Sequence, residues 1–362
     1  MKKEAIQKRL RALRAQMAKR KVNCLILARP ANVTYTTGFL GDDSWAVVSK
    51  NRVYLITDSR YIEQARGECP DCKLIERKRP MVEAVGKLML QLKSISKVEV
   101  ESSISLKDYR ALRKHLDVSV RGVSGIVERL RSCKGAEEVA AVRGAAKIAA
   151  KAFNQTIKKI RTGVTESELA GILELEIRRL GGRISFDTIV AFGGSASYPH
   201  YQPGLRKLRK ADTILIDFGV RFQGYCCDIT RCFSTGTVTN RFKRIYRTAE
   251  LAQAAAIGKV KAGVDIRQID EAARAVIKDS NLPVYGHGTG HGLGLEVHEL
   301  PMISPKAEGR LKTGQIITIE PGVYIHKKIG VRIEDDILVT DSGCEILTRQ
   351  CPKSNSLNVL RR

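Results

Sequence analysis

At 362 residues and 43% hydrophobic content, the chain is too long for one ordinary core and carries enough apolar side chains to fill two. Its net charge of +25 is spread rather than gathered into a tail, with 28 Lys and Arg against 14 Asp and Glu in residues 1–132 and 35 against 24 in the remainder. Aromatics at 5% and the lack of a nucleic-acid motif describe a solvated basic surface rather than a specific nucleic-acid site, and no apolar run approaches the roughly 18 residues of a membrane span.

The opening stretch MKKEAIQKRLRALRAQMAKRK puts Ile6, Leu10, Leu13 and Met17 on one helical face, with Lys and Arg around the rest. It lacks the apolar segment of a secretory signal; an Arg-rich amphipathic start fits a mitochondrial presequence, and a first helix docked on a domain explains it as well. VNCLILA, Val22 to Ala28, reads as a buried strand, and Pro30 with ANVTYTTGF as a turn-rich stretch. WAVVS and RVYLIT, split at Lys50 and Asn51, predict a hairpin, and Asp58 and Ser59 are placed to cap a helix beginning RYIEQAR. A strand (KLIER), a helix from Met81 to Leu92, a strand (KVEVES) and a helix from Leu106 to Leu116 complete an alternating α/β domain without a catalytic cluster. Glycines and charges from Arg121 to Gly135 then lead into a long Ala-rich helix, Ala136 to Lys159, and the domain boundary falls there: 1–130 and 131–362.

Nine cysteines, an odd number without a framework, point to a reduced, cytoplasmic setting. Cys69 and Cys72 form a lone CxxC with no second pair, and Cys226, Cys227 and Cys232 read as packing residues.

The second domain contains a weak repeat at a spacing of 100 residues: RTGVTESELAGILELEI from Arg161 matches KAGVDIRQIDEAARAVI from Lys261 in glycine, valine and apolar pattern. Two similar α/β halves follow, each a helix pair and then strands. In the first half, TILIDFGV and YCCDITRCF flank Arg221 to Gly224; a turn centred between Phe222 and Gln223 sets Asp217 opposite Asp228. In the second, QIITIEPGVYI and GVRIEDDILV flank His326 to Lys328; pairing about Lys327 sets Glu320 opposite Glu334, with Arg332 on the same face as Glu334. Like charges directly opposed are destabilising unless a cation lies between them, and carboxylates ending apolar runs need partners.

Between these hairpins lies GHGTGHGLGLEVHELP, which gathers His287, His291 and His298 among glycines. Gly286, Gly288, Gly290, Gly292 and Gly294 cost a helix about 1 kcal/mol each, so the segment is expected to be extended or looped, with close backbone approach. Four carboxylates and a histidine are a hard, oxygen-rich set, suited to manganese, with cobalt, iron or zinc able to replace it. Four negative charges exceed what one divalent ion neutralises, so the set predicts two ions, and a water held between them ionises near neutral pH to give a nucleophile.

At this point the chain resembles, over essentially its whole length, the metallopeptidase family of prolidase, aminopeptidase P and methionine aminopeptidase, the pita-bread fold. ILIDFG with Asp217, YCCDITR with Asp228, GHGTGHGLGLEVHE with His291, TIEPG with Glu320 and VRIED with Glu334 look like its five metal-ligand motifs in order. VRIEDD resembles the Xaa-Pro branch rather than the Gln-Phe-Glu type of methionine aminopeptidases, and YTTGF and TDSRYIEQA look like the N-terminal domain shared by prolidase, aminopeptidase P and creatinase. The resemblance implies a two-domain α/β protein: a creatinase-like N-terminal domain (1–130) and a pita-bread catalytic domain (131–362) with an internal pseudo-twofold repeat. It implies a dinuclear exopeptidase that hydrolyses the Xaa-Pro bond of peptides with proline second, acting as a homodimer without membrane or specific nucleic-acid partners. His200 in SYPHYQPG, an ordinary turn histidine taken alone, would contact the scissile region; His298 would steady the tetrahedral intermediate, Glu320 would shuttle a proton, and Arg332 and His287 would line the substrate site. A strict dipeptidase is the neighbouring alternative, and a non-catalytic binding module on this fold the more distant one.

Overall fold

Ile6, Leu10, Leu13 and Met17 are all buried along one face of the first helix, α1 (Lys3–Lys19), in the computed structural model of the chain. The structure describes residues 3–92 and 95–360, and the chain divides into two units, Met1–Arg131 and Ser132–Arg362. Among the described residues no helix is long and apolar enough to cross a membrane.

In the first unit, β1 (Cys24–Leu27), β2 (Ser44–Ser49), β3 (Val53–Thr57), β4 (Lys73–Glu76), β5 (Lys97–Glu101) and β6 (Ser119–Val123) form one sheet in the order β4-β3-β2-β1-β5-β6. The β2–β3 hairpin turns at Lys50 and Asn51, with Val48 opposite Val53. Helices α2 (Pro30–Thr37), α3 (Ile62–Glu68), α4 (Met81–Gln91), α5 (Leu106–His115) and α6 (Val127–Arg131) complete the unit, whose core includes Ile26, Val47, Ile56, Val85 and Leu112. The stretch after Pro30 is helical, not turn-like. Proline enters at the first helical turn, where its missing N–H costs nothing, and Gly38 closes the helix at φ 86°. Residues 31–37 are all buried, so packing overrides the weak helix propensity of three threonines. Asp58 does not cap α3 through a helical N–H. Its carboxylate pairs with Arg60 and Arg77, and Tyr61 holds the N-cap position without a side-chain bond.

The second unit is built twice. Helices α7 (Ala136–Ile157) and α8 (Glu166–Arg179) precede β7 (Arg183–Ile184), β8 (Ile189–Phe192), β9 (Thr213–Phe218), β10 (Val220–Phe222), β11 (Tyr225–Cys226) and β12 (Ile229–Ser234). Helices α9 (Asn240–Ile257) and α10 (Ile266–Asp279) precede β13 (Gly290–Gly292), β14 (Glu299–Ile303), β15 (Ile316–Ile319), β16 (Gly322–Ile325), β17 (Ile329–Arg332), β18 (Asp335–Val339) and β19 (Cys344–Ile346). The repeat is visible in the backbone: Gly163 and Gly263 take φ of 88° and 86°, and their N–H groups donate to Leu208 and Leu311, both at 2.9 Å. Thr165 and Asp265 then cap α8 and α10. Each half has its own core, Ala149, Phe153, Leu173 and Ile216 in the first and Ala249, Ile269, Ile317 and Val331 in the second.

Each half also sends one hairpin through two sheets. The pair β9–β12 continues as β10–β11, and β15–β18 continues as β16–β17. In the second hairpin Val323 faces Val331 about Lys327, which takes φ 55°, so Glu320 and Glu334 hold facing positions between the Ile319–Asp335 and Gly322–Arg332 pairs. The first hairpin differs from expectation by two residues. Phe222 pairs with Tyr225, leaving Gln223 and Gly224 as a two-residue turn with φ of 50° and 86°, the double left-handed geometry that suits a twisted hairpin. Asp217 therefore faces Thr230, and Asp228 is its diagonal neighbour on the same face. The Phe222 ring stays in its strand and packs where Gly144 of α7 has no side chain: a Cβ there would lie 2.7 Å from it.

Candidate metal centre

The four carboxylates of the hairpins sit at or beside the points where the strands pass from one sheet to the next. Asp217 is the penultimate residue of β9, Asp228 lies between β11 and β12, Glu320 between β15 and β16, and Glu334 between β17 and β18. At these breaks the backbone leaves its ladder and finds other partners, with Glu320 N–H donating to the Thr289 carbonyl and Glu334 N–H to the Thr230 carbonyl. The breaks thus aim acidic side chains inward, where continuous strands would alternate them.

His291 lies in β13, extended as expected, and the glycines around it are required by close approach. A Cβ on Gly290 would meet the Thr318 carbonyl oxygen at 1.9 Å, and one on Gly292 the Leu300 carbonyl oxygen at 2.1 Å. His291 Nε2 is 3.7 Å from Asp228 Oδ2 and 3.5 Å from Glu320 Oε1. Asp228, His291 and Glu334, all buried, each bring a ligating atom within 4.8 Å of the others. Asp217 stands outside that tight group, with Oδ2 held by Arg332. Oδ1 of Asp217 and Oδ1 of Asp228 are buried without a hydrogen-bond partner.

Burial and mutual repulsion hold the carboxyl groups of Asp228 and Glu334 well above the usual carboxylate range; burial raises Glu320 to about 7 and depresses His291 to about 4, leaving its ring neutral. Carboxylates that cannot all ionise together, a neutral imidazole and two orphaned buried oxygens fit the demands of divalent cations, which supply the missing positive charge. The donor set is oxygen-rich and contains no thiolate, as hard cations require.

Every residue that the sequence reading assigned to the site lines one cavity of about 420 Å³, including His200, His287, His298 and Arg332. His298 lies against His291 with ring centres 4.4 Å apart. Arg332 donates to the Tyr324 hydroxyl at 2.8 Å and to Thr230 at 3.0 Å, and reaches the Pro199 carbonyl beside His200. Phe186, Ile189, Val297 and Met302 give the cavity an apolar wall.

Several residues that matter here escaped the sequence reading. Thr230 Oγ1 donates to Glu334 at 2.6 Å while receiving the Arg332 Nε–H, and its position two residues after Asp228 on one strand face was the available signal. Asp336 accepts the Asp228 N–H at 3.1 Å. Glu166, buried at the start of α8, accepts from the Tyr201 hydroxyl at 2.8 Å and from the Gly204 N–H at 3.2 Å, tying down the loop that bears His200. No local pattern announces that contact.

A duplicated α/β unit with acidic strand breaks around a glycine-bound histidine defines a metallopeptidase. Residues 140–341 match the family model of metallopeptidase family M24, and residues 9–133 that of the creatinase/prolidase N-terminal domain. The chain belongs to family M24. Its fold is similar to that of the Xaa-Pro dipeptidase from Bacillus anthracis (33% identical, covering 97% of this chain and 99% of that one, TM-score 0.93). It is also similar to the X-Pro aminopeptidase from Thermotoga maritima MSB8 (35%, 93% and 98%, TM-score 0.86) and the prolidase from Pyrococcus furiosus (30%, 93% and 99%, TM-score 0.84). The Bacillus subtilis (strain 168) peptidase YqhT is 34% identical over 94% of this chain and 97% of that relative.

Proposed function

We propose that the chain is a dinuclear metal-dependent exopeptidase that hydrolyses the N-terminal Xaa-Pro bond of peptides. The observation that carries this reading is the convergence of acidic groups from both halves, with His291, on one cavity that also holds His200, His298 and Arg332 against an apolar wall. The names of three similar structures, an Xaa-Pro dipeptidase, an X-Pro aminopeptidase and a prolidase, support the proline preference. Asp217, Asp228, His291, Glu320 and Glu334 would hold the two ions, with manganese the best match to the donor set. When bound, such ions acidify water and polarise the scissile carbonyl.

The chain's own residues supply the rest. Burial lowers the pKa of His298, so the neutral ring donates an N–H to the developing oxyanion of the substrate without having to lose a proton. Glu320 would accept a proton from the attacking water and return it to the proline nitrogen as the bond breaks. His200 and His287 flank the substrate, and Arg332 holds Asp217 in place while its other contacts fix the Pro199 carbonyl next to His200. The substrate's free α-amine binds beside the carboxylates, which selects chain ends. The pyrrolidine ring suits the apolar wall because it is rigid and brings no N–H; a residue other than proline would bury an unsatisfied donor at a cost of about 1–3 kcal/mol, or roughly one to two orders of magnitude in specificity.

The decisive assay compares kcat/KM for Met-Pro and Met-Ala, each alone and extended by one C-terminal residue. Equal values for the Pro and Ala members would refute the proline preference while leaving the metallopeptidase intact, and turnover of the dipeptide alone would make the chain a strict dipeptidase. The reading extends to a cytoplasmic homodimer: the odd, unpatterned set of nine cysteines supports the compartment, and analytical ultracentrifugation tests the dimer.

A further inference from the structure

On α10, Asp270 and Arg274 stand one turn apart and pair through Arg274 Nε at 2.7 Å, with Asp270 only 1% exposed. The remainder of the guanidinium is turned on the backbone of the histidine loop. Nη1 donates to the Tyr285 carbonyl at 2.8 Å and Nη2 to the His287 carbonyl at 2.7 Å. The guanidinium also lies 4.4 Å over the Tyr285 ring, which stacks on His287 with ring centres 4.8 Å apart. The second Asp270 oxygen receives the Thr289 hydroxyl at 2.6 Å, and the Thr289 carbonyl accepts the Glu320 N–H at 2.8 Å. An ordinary surface pair at this spacing leaves the rest of the planar fork to water; here Nε is held by Asp270 and both terminal nitrogens are directed at one loop.

The consequence reaches the cavity. His287 Nδ1 lies 2.7 Å from the Gly288 carbonyl, which places the ring proton on Nδ1, and Nε2 accepts from the Tyr324 hydroxyl at 3.1 Å. Gly286 and Gly288 on either side of His287 bring little conformational preference of their own, so contacts from outside the pair must hold this ring. We propose that Arg274, buttressed by Asp270, is a positioning residue that fixes the tilt and tautomer of His287 at the cavity wall. In the first half a different residue type holds the loop bearing His200: Glu166 on α8 accepts from the Tyr201 hydroxyl and the Gly204 N–H. The inference rests on the proposed reading of the cavity as a peptide site.

The test uses the metal-loaded full chain and the variants Arg274→Gln, Arg274→Lys, His287→Ala and the double variant Arg274→Gln/His287→Ala. Arg274→Gln is expected to raise KM about 10-fold with a smaller fall in kcat, and Arg274→Lys, which retains the charge and serves as the readout should the glutamine variant fail to fold, to recover part of the loss. The double variant should fall within about twofold of His287→Ala, because a residue that acts through another adds nothing once that other is gone. Full additivity, or an unchanged KM in Arg274→Gln, overturns the proposal. Histidine-labelled NMR of the metal-free chain reads the same relationship without turnover: the Nδ1-protonated His287 signal should broaden or mix tautomers in both Arg274 variants, and an unaltered signal would refute the positioning role. Cleavage only of peptides lacking proline would sink the substrate reading and leave the KM and NMR comparisons to decide this one.

Discussion

Arg332 closes on one oxygen of Asp217 and leaves the other, Oδ1, buried without a partner. Its Nε reaches Thr230, whose hydroxyl reaches Glu334, so one guanidinium links carboxylates from the two halves of the repeat. Arg332→Lys keeps the charge and loses the fork. We expect the variant to stay folded and to lose about 10- to 100-fold in kcat/KM; steady-state kinetics beside circular dichroism checks this, and wild-type rates would show that charge alone suffices.

Chelation should abolish activity, and manganese or cobalt should restore it, because the single charge of Arg332 does not balance the four acidic groups. Asp228→Ala and Glu334→Ala should each lower bound metal, measured by plasma mass spectrometry on the purified protein. Metal should also raise the melting temperature, since an ion that binds only the folded chain stabilises it in proportion to its occupancy. Full activity after verified removal of metal, or wild-type stoichiometry in both variants, would contradict this placement of the centre.

The neighbouring rings of His291 and His298 should separate in function despite ring centres only 4.4 Å apart. His298→Ala is expected to lower kcat by about 10²-fold or more, the scale for one donor to a transition state, with metal content near normal. His291→Ala should instead reduce metal occupancy. Identical behaviour of the two in metal analysis and kinetics would erase the distinction between ligand and donor.

Arg231 is 2% exposed and donates to Asp335, to the Thr230 and Glu334 carbonyls and to the Cys351 carbonyl. Breaking a buried ion pair from one side costs about 3–5 kcal/mol. Lys353 also contacts Asp335, at 2.5 Å, and partly compensates, so Arg231→Ala should destabilise the chain by about 3 kcal/mol. Urea denaturation measures it; a loss under about 1 kcal/mol would mean that this buried network is replaceable.

What could be read locally came from short-range physics. The helical face of Ile6, Leu10, Leu13 and Met17, the hairpin at Lys50 and Asn51, and the facing positions of Glu320 and Glu334 all follow from periods of 3.6 and 2 and from turn residues a few positions away. Five glycines in nine residues likewise exclude a helix around His291, and the structure supplies the reason in the carbonyls of Thr318 and Leu300. Local reasoning misjudged the first hairpin by two residues because either Phe222–Gln223 or Gln223–Gly224 can form its turn; the choice belongs to Phe222, whose ring packs against Gly144, nearly eighty positions earlier. It also read the stretch after Pro30 as turns, where burial of residues 31–37 makes a helix. The arrival of His200 beside the Glu320 and Glu334 hairpin, the fork of Arg274 on the histidine loop and the hold of Glu166 on Tyr201 were decided only by the tertiary structure. Each joins segments whose separation along the chain carries no periodic signal, and their energy comes from desolvated hydrogen bonds that exist only once both helix pairs have packed.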